Sequence, residues 1–259
     1  MSDESSFDRN PSADPDAEAA PVLALVTGGA RRLGARFVRA LANEGFDVAF
    51  TYHRSGEQAR RLVDELDRDG TEAGAYETDL RSTSAIEGLV DAVEGDMGPI
   101  GLLVNNAGVL LHADVEASGA ADFDESIAVN LRAPYLLSLA CGRRMRARGE
   151  GCIVNVASTG GLRPYRQHLS YSVSKAGLVM TTRSLALALA PEVTVNAIAP
   201  GILRLEGEED GGDRPPAGRI PLGEYGDPDD VVDALLYLAT APYVTGQVLS
   251  VDGGFSLRG

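Results

Sequence analysis

A single α/β domain on a doubly wound parallel sheet, seven strands with helices on both faces, is the fold class this sequence predicts. Two observations carry it. Short apolar runs alternate with amphipathic helical stretches from residue 22 to the C-terminus, and a glycine turn joins the first strand to the first helix. Such alternation closes as parallel strands with right-handed crossovers, because a right-twisted strand feeding a helix packs back onto its sheet only in that hand. The 259 residues suit one large domain with a substantial core.

The first strand is the apolar run 22–26, followed at once by Thr27-Gly28-Gly29-Ala30-Arg31-Arg32-Leu33-Gly34 and a helix from about Arg32. Strand two spans 47–51, a charged amphipathic helix 57–68, strand three 72–76 and a further helix 84–93. Strand four ends at Asn105, a long helical stretch over 122–148 carries Asn130, and strand five is 152–157. Tyr171 and Lys175 sit on a helix running to about Ala190, followed by strand six at 193–198, a helix at 229–239 and a last strand at 247–251. Residues 1–20, rich in Asp, Glu, Ser and Pro, read as a disordered acidic tail, with the folded domain at 21–259. Segment 204–226 lacks periodicity and reads as a lid over a substrate site or as a disordered insertion.

Composition narrows the partners. A net charge of −15 argues against nucleic acid, which needs a basic footprint. No apolar stretch has transmembrane length and no leader peptide is visible, so the expected location is cytoplasmic. The acidity fits a high-salt habitat, and the scarcity of lysine fits either that or a GC-rich genome. Cys141 and Cys152 read as buried free thiols. His53, His112 and His168 are scattered without ligand spacing, so no metal is expected.

Chemistry gathers at a few positions. Lys175 is the one lysine of the chain and stands four residues after Tyr171. On a helix that spacing puts phenol and ammonium on one face, where a cation favours the ionised phenol and the pair reads as a general acid/base. Tyr-x-x-x-Lys is also an ordinary surface pair, so weight falls on the other motifs. The glycine turn lets backbone N–H groups at a helix N-terminus approach a pyrophosphate. Asn105-Asn106-Ala107-Gly108 is a small polar turn after strand four, and Ser158 ends strand five thirteen residues before Tyr171.

These motifs together resemble the short-chain dehydrogenase/reductase family, with its Rossmann-type fold, from about Val22 to the C-terminus. Thr27, Gly28 and Gly34 match its glycine motif, Asn105 to Gly108 its Asn-Asn-Ala-Gly segment, and Asn130, Ser158, Tyr171 and Lys175 its catalytic set. Pro200-Gly201 and Val251-Asp252-Gly253-Gly254 also match. Arg32 replaces the middle glycine, and with Arg31 and His53-Arg54-Ser55 it resembles the pteridine reductase branch. The resemblance implies NADPH-dependent reduction of a carbonyl or imine: Tyr171 donates the proton, Ser158 orients the substrate oxygen, Lys175 binds ribose hydroxyls and lowers the phenol pKa, and Asn130 holds a relay water. It also implies cofactor contacts at Leu33, Asp79 (the adenine edge), Leu80, Asn106, Ala107, Gly108, Pro200 and Gly201, and a homotetramer.

Strand two ends in Thr51-Tyr52-His53-Arg54-Ser55 without the acid that usually holds an NAD ribose, so NADP(H) is expected, with Arg54 and Arg31 as partners for the 2′-phosphate. Arg54 as a solvated loop residue is the alternative. The substrate reading is a pterin or a carbonyl compound. Ser158 and the aliphatic Val109-Leu110-Leu111, where an aromatic would sandwich a pterin, keep a small-ketone or 3-oxoacyl carrier-protein reductase open. For the latter, Arg143, Arg144, Arg146 and Arg148 would supply a basic patch or else a solvated helix end. A non-catalytic NADP(H) sensor is the remote alternative, disfavoured because both Tyr171 and Lys175 are present.

Overall fold

The computed structural model describes residues 22–204 and 215–258; the acidic N-terminal segment and residues 205–214 of the expected lid lie outside the described residues. Strands β1 (Leu23–Val26), β2 (Asp47–Tyr52), β3 (Ala73–Glu77), β4 (Ile100–Asn105), β5 (Gly151–Val156), β6 (Val193–Pro200) and β7 (Val248–Val251) form one sheet. Its order is β3-β2-β1-β4-β5-β6-β7, and every pairing is parallel. The order reverses at β1, which pairs β2 on one side and β4 on the other, so the crevice for a ligand opens at the carboxyl ends of β1 and β4.

The helices are α1 (Arg32–Asn43), α2 (Gly56–Arg68), α3 (Thr83–Met97), α4 (Ala120–Ile127), α5 (Ala133–Arg148), α6 (Leu169–Leu189) and α7 (Pro228–Thr240). The strands are apolar on both faces because both are covered. Against one face, α1, α2 and α7 bury Phe37, Leu41, Leu62 and Leu235 with Val26 and Phe50 of the sheet. Against the other, α3, α5 and α6 bury Ile86, Leu137, Met145 and Leu185 with Leu25, Leu103 and Ile153. Cys141 and Cys152 are free and buried, and burial pushes their thiols up to about 12 and about 11.

One element departs from expectation. The helical stretch 122–148 is not continuous: α4 ends at Ile127, a π-helical turn covers Ala128–Arg132, and α5 follows. Proline has no N–H, so Pro134 cannot give the carbonyl of Asn130, four residues earlier, its α-helical hydrogen bond. The Asn130 side chain consolidates the break by clamping the backbone of Val109: its Oδ1 accepts from Val109 N at 2.8 Å and its Nδ2 donates to Val109 O at 2.9 Å. The ends of the 204–226 segment are stitched together, with Gly226 N donating to Ile202 O at 3.0 Å and Arg204 N to Gly226 O at 2.9 Å.

Candidate active site

The turn after β1 is shaped by glycines that admit no side chain. A Cβ on Gly34 would lie 2.1 Å from Gly28 O, so the first turn of α1 can pack against the loop only with glycine there. Gly28 takes a positive φ of 66°. Thr27 ties this turn to the one after β4: its Oγ1 accepts from Asn106 N and Ala107 N, each at 3.0 Å, and Asn106 Nδ2 donates back to Thr27 O at 2.9 Å. Arg32, where the family pattern has glycine, is the one non-glycine residue at positive φ among the described residues, at 51°. That conformation costs an L-residue about 1–2 kcal/mol.

The resulting cleft, about 770 Å³, is lined by Arg31, Arg32, Leu33, His53, Arg54 and Ser55 on one side and by Asp79, Leu80, Asn106, Ala107 and Gly108 on the other. The expected cofactor residues from Gly28 to Gly108 are thus brought together, while Thr27 works from beneath as a tie. Arg31, Arg32 and Arg54 are exposed at the cleft, and no acid stands at the end of β2. Asp79 carries an engagement that the sequence reading missed. Arg81 grips its carboxylate with Nε and Nη2, both at 2.8 Å, and holds it down at about 2, while His53 Nε2 lies 3.9 Å away. A fork two residues downstream, in Asp79-Leu-Arg81, was the available signal.

Beyond Gly108 lies the second half of the site. A Cβ on Gly108 would sit 3.2 Å from Asn130 Oδ1 and 3.6 Å from Lys175 Nζ, so the absence of a side chain there keeps the cleft continuous with the lysine. Ser158, two residues beyond β5, caps a 3₁₀ turn, Thr159–Gly161, by accepting from Gly160 N at 3.0 Å. A Cβ on Gly161 would meet Lys175 O at 2.7 Å, so this glycine lets α6 pack closely on the 3₁₀ turn. The Ser158 hydroxyl lies on the Tyr171 phenol side of this turn and favours the ionised phenol, an effect smaller than that of burial. Lys175, 4% exposed, donates from Nζ to Val156 O at 2.7 Å, and its Nζ stands 5.9 Å from the Tyr171 ring centre. Ser158, Tyr171, Lys175 and Asn130 therefore meet at one end of the sheet. Pro200 and Gly201 close its β6 side, Pro200 O accepting from Thr159 Oγ1 at 3.3 Å and Gly201 N donating to Val251 O at 2.9 Å.

Three expectations are corrected. The phenol of Tyr171 is not lowered: burial pushes it up to about 12 against a smaller downward effect of Ser158, and Lys175 is not among the groups that shift it. The same burial lowers the Lys175 ammonium to about 8, so its charge is lost on the alkaline side well before that of an exposed lysine. The Asn130 side chain is spent on Val109 and, at 3.1 Å, on Ser174 Oγ, so a relay water would rest on its main chain. The arginine run on α5 is not a patch beside the pocket. Arg144 pairs with Asp91 and Glu94, Arg148 with Glu94, and Arg146 donates to Ala188 O, at the end of α5 that precedes the start of β5 and faces away from the cleft. The histidines are also less scattered than their numbers imply. The rings of His112 and His168 are 5.3 Å apart, and that of His168 is 6.5 Å from Tyr171.

A family model described as enoyl-(acyl carrier protein) reductase matches residues 28–256. The chain is 34% identical over 236 residues to a 3-oxoacyl-[acyl-carrier-protein] reductase of Synechocystis sp., covering 90% of this chain and 96% of that protein. Among solved structures, a short-chain dehydrogenase/reductase from Serratia marcescens superposes with a TM-score of 0.85 at 34% identity, covering 91% of this chain and 98% of the other. A variant of actinorhodin polyketide ketoreductase with NADPH superposes with a TM-score of 0.84 at 33% identity, covering 92% and 98%.

Proposed function

Because the chain belongs to the short-chain dehydrogenase/reductase family and is an oxidoreductase of it, we propose that it uses NADPH to reduce the keto group of a 3-oxoacyl thioester or a small ketone, with Tyr171 as proton donor. The observation that carries this is the junction of an arginine-lined nucleotide cleft with a buried Ser158–Tyr171–Lys175 cluster through side-chain-free Gly108.

The residues fit NADP(H). The glycine turn leaves a cradle that a Cβ at Gly34 would fill, and Arg31, Arg54, His53 and Ser55 present donors suited to a 2′-phosphate where an NAD site would present an acid. Leu33 and Leu80 would flank the adenosine half, Asp79 would meet the adenine edge, Asn106 to Gly108 would line the path inward, and Pro200-Gly201 would bound the nicotinamide end. When bound, the cofactor supplies the hydride. Ser158 holds the substrate oxygen and stabilises its developing negative charge. Tyr171, kept protonated by burial, gives that oxygen its proton. Lys175, whose ammonium donates to Val156 O, would hold the ribose hydroxyls of the bound cofactor, stabilise the tyrosinate left behind and pass a proton toward it. A relay water on the π turn that Asn130 holds would return that proton to the lysine.

The relative named above is a 3-oxoacyl reductase and the solved structure a polyketide ketoreductase, and the aliphatic Val109 lining the cleft suits an acyl chain better than a stacked bicycle. Arg32, held at positive φ in the cofactor turn, is the observation that favours the pterin reading. NADPH oxidation measured in parallel on a 3-oxoacyl thioester, a small ketone and a dihydropterin separates the two: turnover confined to the dihydropterin overturns the proposal. A homotetramer is part of the same reading. Val173, Met180 and Leu187 stand exposed along α6, an apolar stripe that a second copy would cover, and sedimentation as a monomer would exclude it.

A further inference from the structure

The polar side chains behind the site form a directed chain. Asn105 and Asn155 are register partners on β4 and β5 and face the α5–α6 layer. Thr182 Oγ1 donates to Leu178 O at 2.9 Å, so toward Asn155 it can only accept, and Asn155 Nδ2 donates to it at 2.9 Å. That orients the Asn155 amide with its Oδ1 toward Asn105, whose Nδ2 donates to it at 2.8 Å and to Ser138 Oγ at 3.0 Å. Asn105 Oδ1 is left as the one buried side-chain polar atom without a partner among the described residues. Turning the amide over would satisfy nothing, since two carbonyl oxygens would then face each other. All four side chains are 0–1% exposed. A buried chain with one end unsatisfied is a cost, which sheet stability alone does not require.

What the chain reaches is α6, the helix that carries Tyr171 and Lys175. In the ligand-free protein two polar links tie α6 to β5: Lys175 Nζ to Val156 O at 2.7 Å and Thr182 to Asn155 at 2.9 Å. They stand seven residues apart on one face of the helix, about 10.5 Å along its axis, so together they fix both its rotation and its slide. The mechanism proposed above draws on the first link, because the same ammonium would turn to the ribose hydroxyls and the tyrosinate. We propose that Asn155 and Thr182 are positioning residues, a registry pin that holds α6 against β5 while Lys175 changes partners, so that Tyr171 keeps its place beside Ser158 through turnover. This rests on the reading of Tyr171 and Lys175 given under the proposed function.

The pin is tested with Thr182→Val, which keeps shape and removes the hydroxyl, beside Thr182→Ser, which keeps the hydroxyl, and Ser138→Ala, which takes a partner from the same buried chain but leaves α6 tied. For Thr182→Val, kcat is expected to fall roughly ten- to hundred-fold, the scale of a misplacement of about 1 Å, with the KM for NADPH little changed. The Tyr171 limb of the kcat pH profile should move upward as the ammonium loses its place under the phenol, and amide exchange should quicken through the 171–175 turn of the free enzyme. Thr182→Ser should restore all three readouts, and Ser138→Ala should lower the melting temperature without moving the pH profile. If Thr182→Val does not fold, Thr182→Ala carries the same expectations with less crowding. The proposal is overturned if the valine or alanine variant keeps kcat within two-fold, or if Ser138→Ala moves the pH profile equally. Failure of the underlying reading is told apart by Tyr171→Phe, which would then retain activity.

Discussion

Replacing Lys175 by methionine should stabilise the ligand-free protein at neutral pH while destroying its activity. The ammonium is buried and falls from 10.5 to about 8 for that reason alone. At about 1.36 kcal/mol per pH unit, keeping it charged costs the folded state about 3 kcal/mol below pH 8. Methionine has similar length and no charge, so it removes that cost but leaves Val156 O without its donor, a loss of about 1–3 kcal/mol. The net gain at pH 7 is about 0–2 kcal/mol, a rise of roughly 2–4 °C in Tm per kcal/mol for a domain of this size. The pH dependence is the sharper test. Between pH 8 and 10.5 the unfolded wild type holds a proton that the folded wild type has released, so wild-type stability climbs through that window. The variant, having nothing to titrate there, does not follow. Tyr171, raised to about 12, withdraws stability above pH 10 in both proteins and cancels in the comparison. Urea unfolding at pH 7 and pH 10 measures the difference, which should swing by about 3 kcal/mol against the variant. An equal difference at the two pH values would refute the reasoning.

Tyr171→Phe is expected to lower kcat at least about hundred-fold with NADPH affinity within two-fold of wild type, because the proton donor alone is removed. Turnover above a few per cent in a stopped-flow assay would dismiss that role. Arg54→Asp should weaken NADPH binding by about 1.5–3 kcal/mol, roughly ten- to over hundred-fold, and NADH binding much less; calorimetric titration showing equal losses would count against a 2′-phosphate contact. Arg32→Gly relieves about 1–2 kcal/mol of left-handed strain but adds about 0.4–1 kcal/mol of chain entropy in the unfolded state, so Tm should change little. Any dihydropterin reduction by the wild type should fall with it, and unchanged activity would remove the pterin reading.

The sheet was legible because its signals are local. Each buried strand is an apolar run, each helix an amphipathic one, and the glycine turn and the Asn105–Gly108 turn bracket the switch point. The candidate catalytic cluster was legible for the same reason: Tyr171 and Lys175 share a helix face, and Ser158 stands two residues beyond the strand whose last carbonyl, Val156 O, takes the Lys175 ammonium. What escaped depends on who spends a group's hydrogen bonds. The sequence places an Arg two residues after Asp79 without saying that the two pair; it puts Asn130 on a helix without saying that its amide clamps Val109. The break at the π turn was within reach, since Pro134 stands four residues after Asn130. Ionisation escaped for a different reason. An i,i+4 spacing predicts proximity, but burial acts on phenol and ammonium alike and pushes both toward their neutral forms.

The exceptions to ordinary structural economy fall in and around the site. Arg32 takes a backbone conformation suited to glycine, Lys175 is a buried ammonium, Asn105 Oδ1 is a buried acceptor without a donor, and α4 passes into α5 through a π turn at Asn130. All belong to segments at the carboxyl ends of the strands or to the helix packed against them, whereas the sheet and its two apolar cores obey the rules throughout. Local inconsistency of this kind persists where function compensates for it. On the proposed function the cost of Lys175 is also a store: an ammonium held under a carbonyl in an apolar setting would gain from contact with ribose hydroxyls and a tyrosinate, so cofactor and substrate would bind a site whose charge is otherwise poorly satisfied. On that account NADPH should raise the melting temperature of the wild type more than that of Lys175→Met at equal saturation. Equal shifts would mean that the lysine is tolerated in the interior for some reason other than what it does to the cofactor.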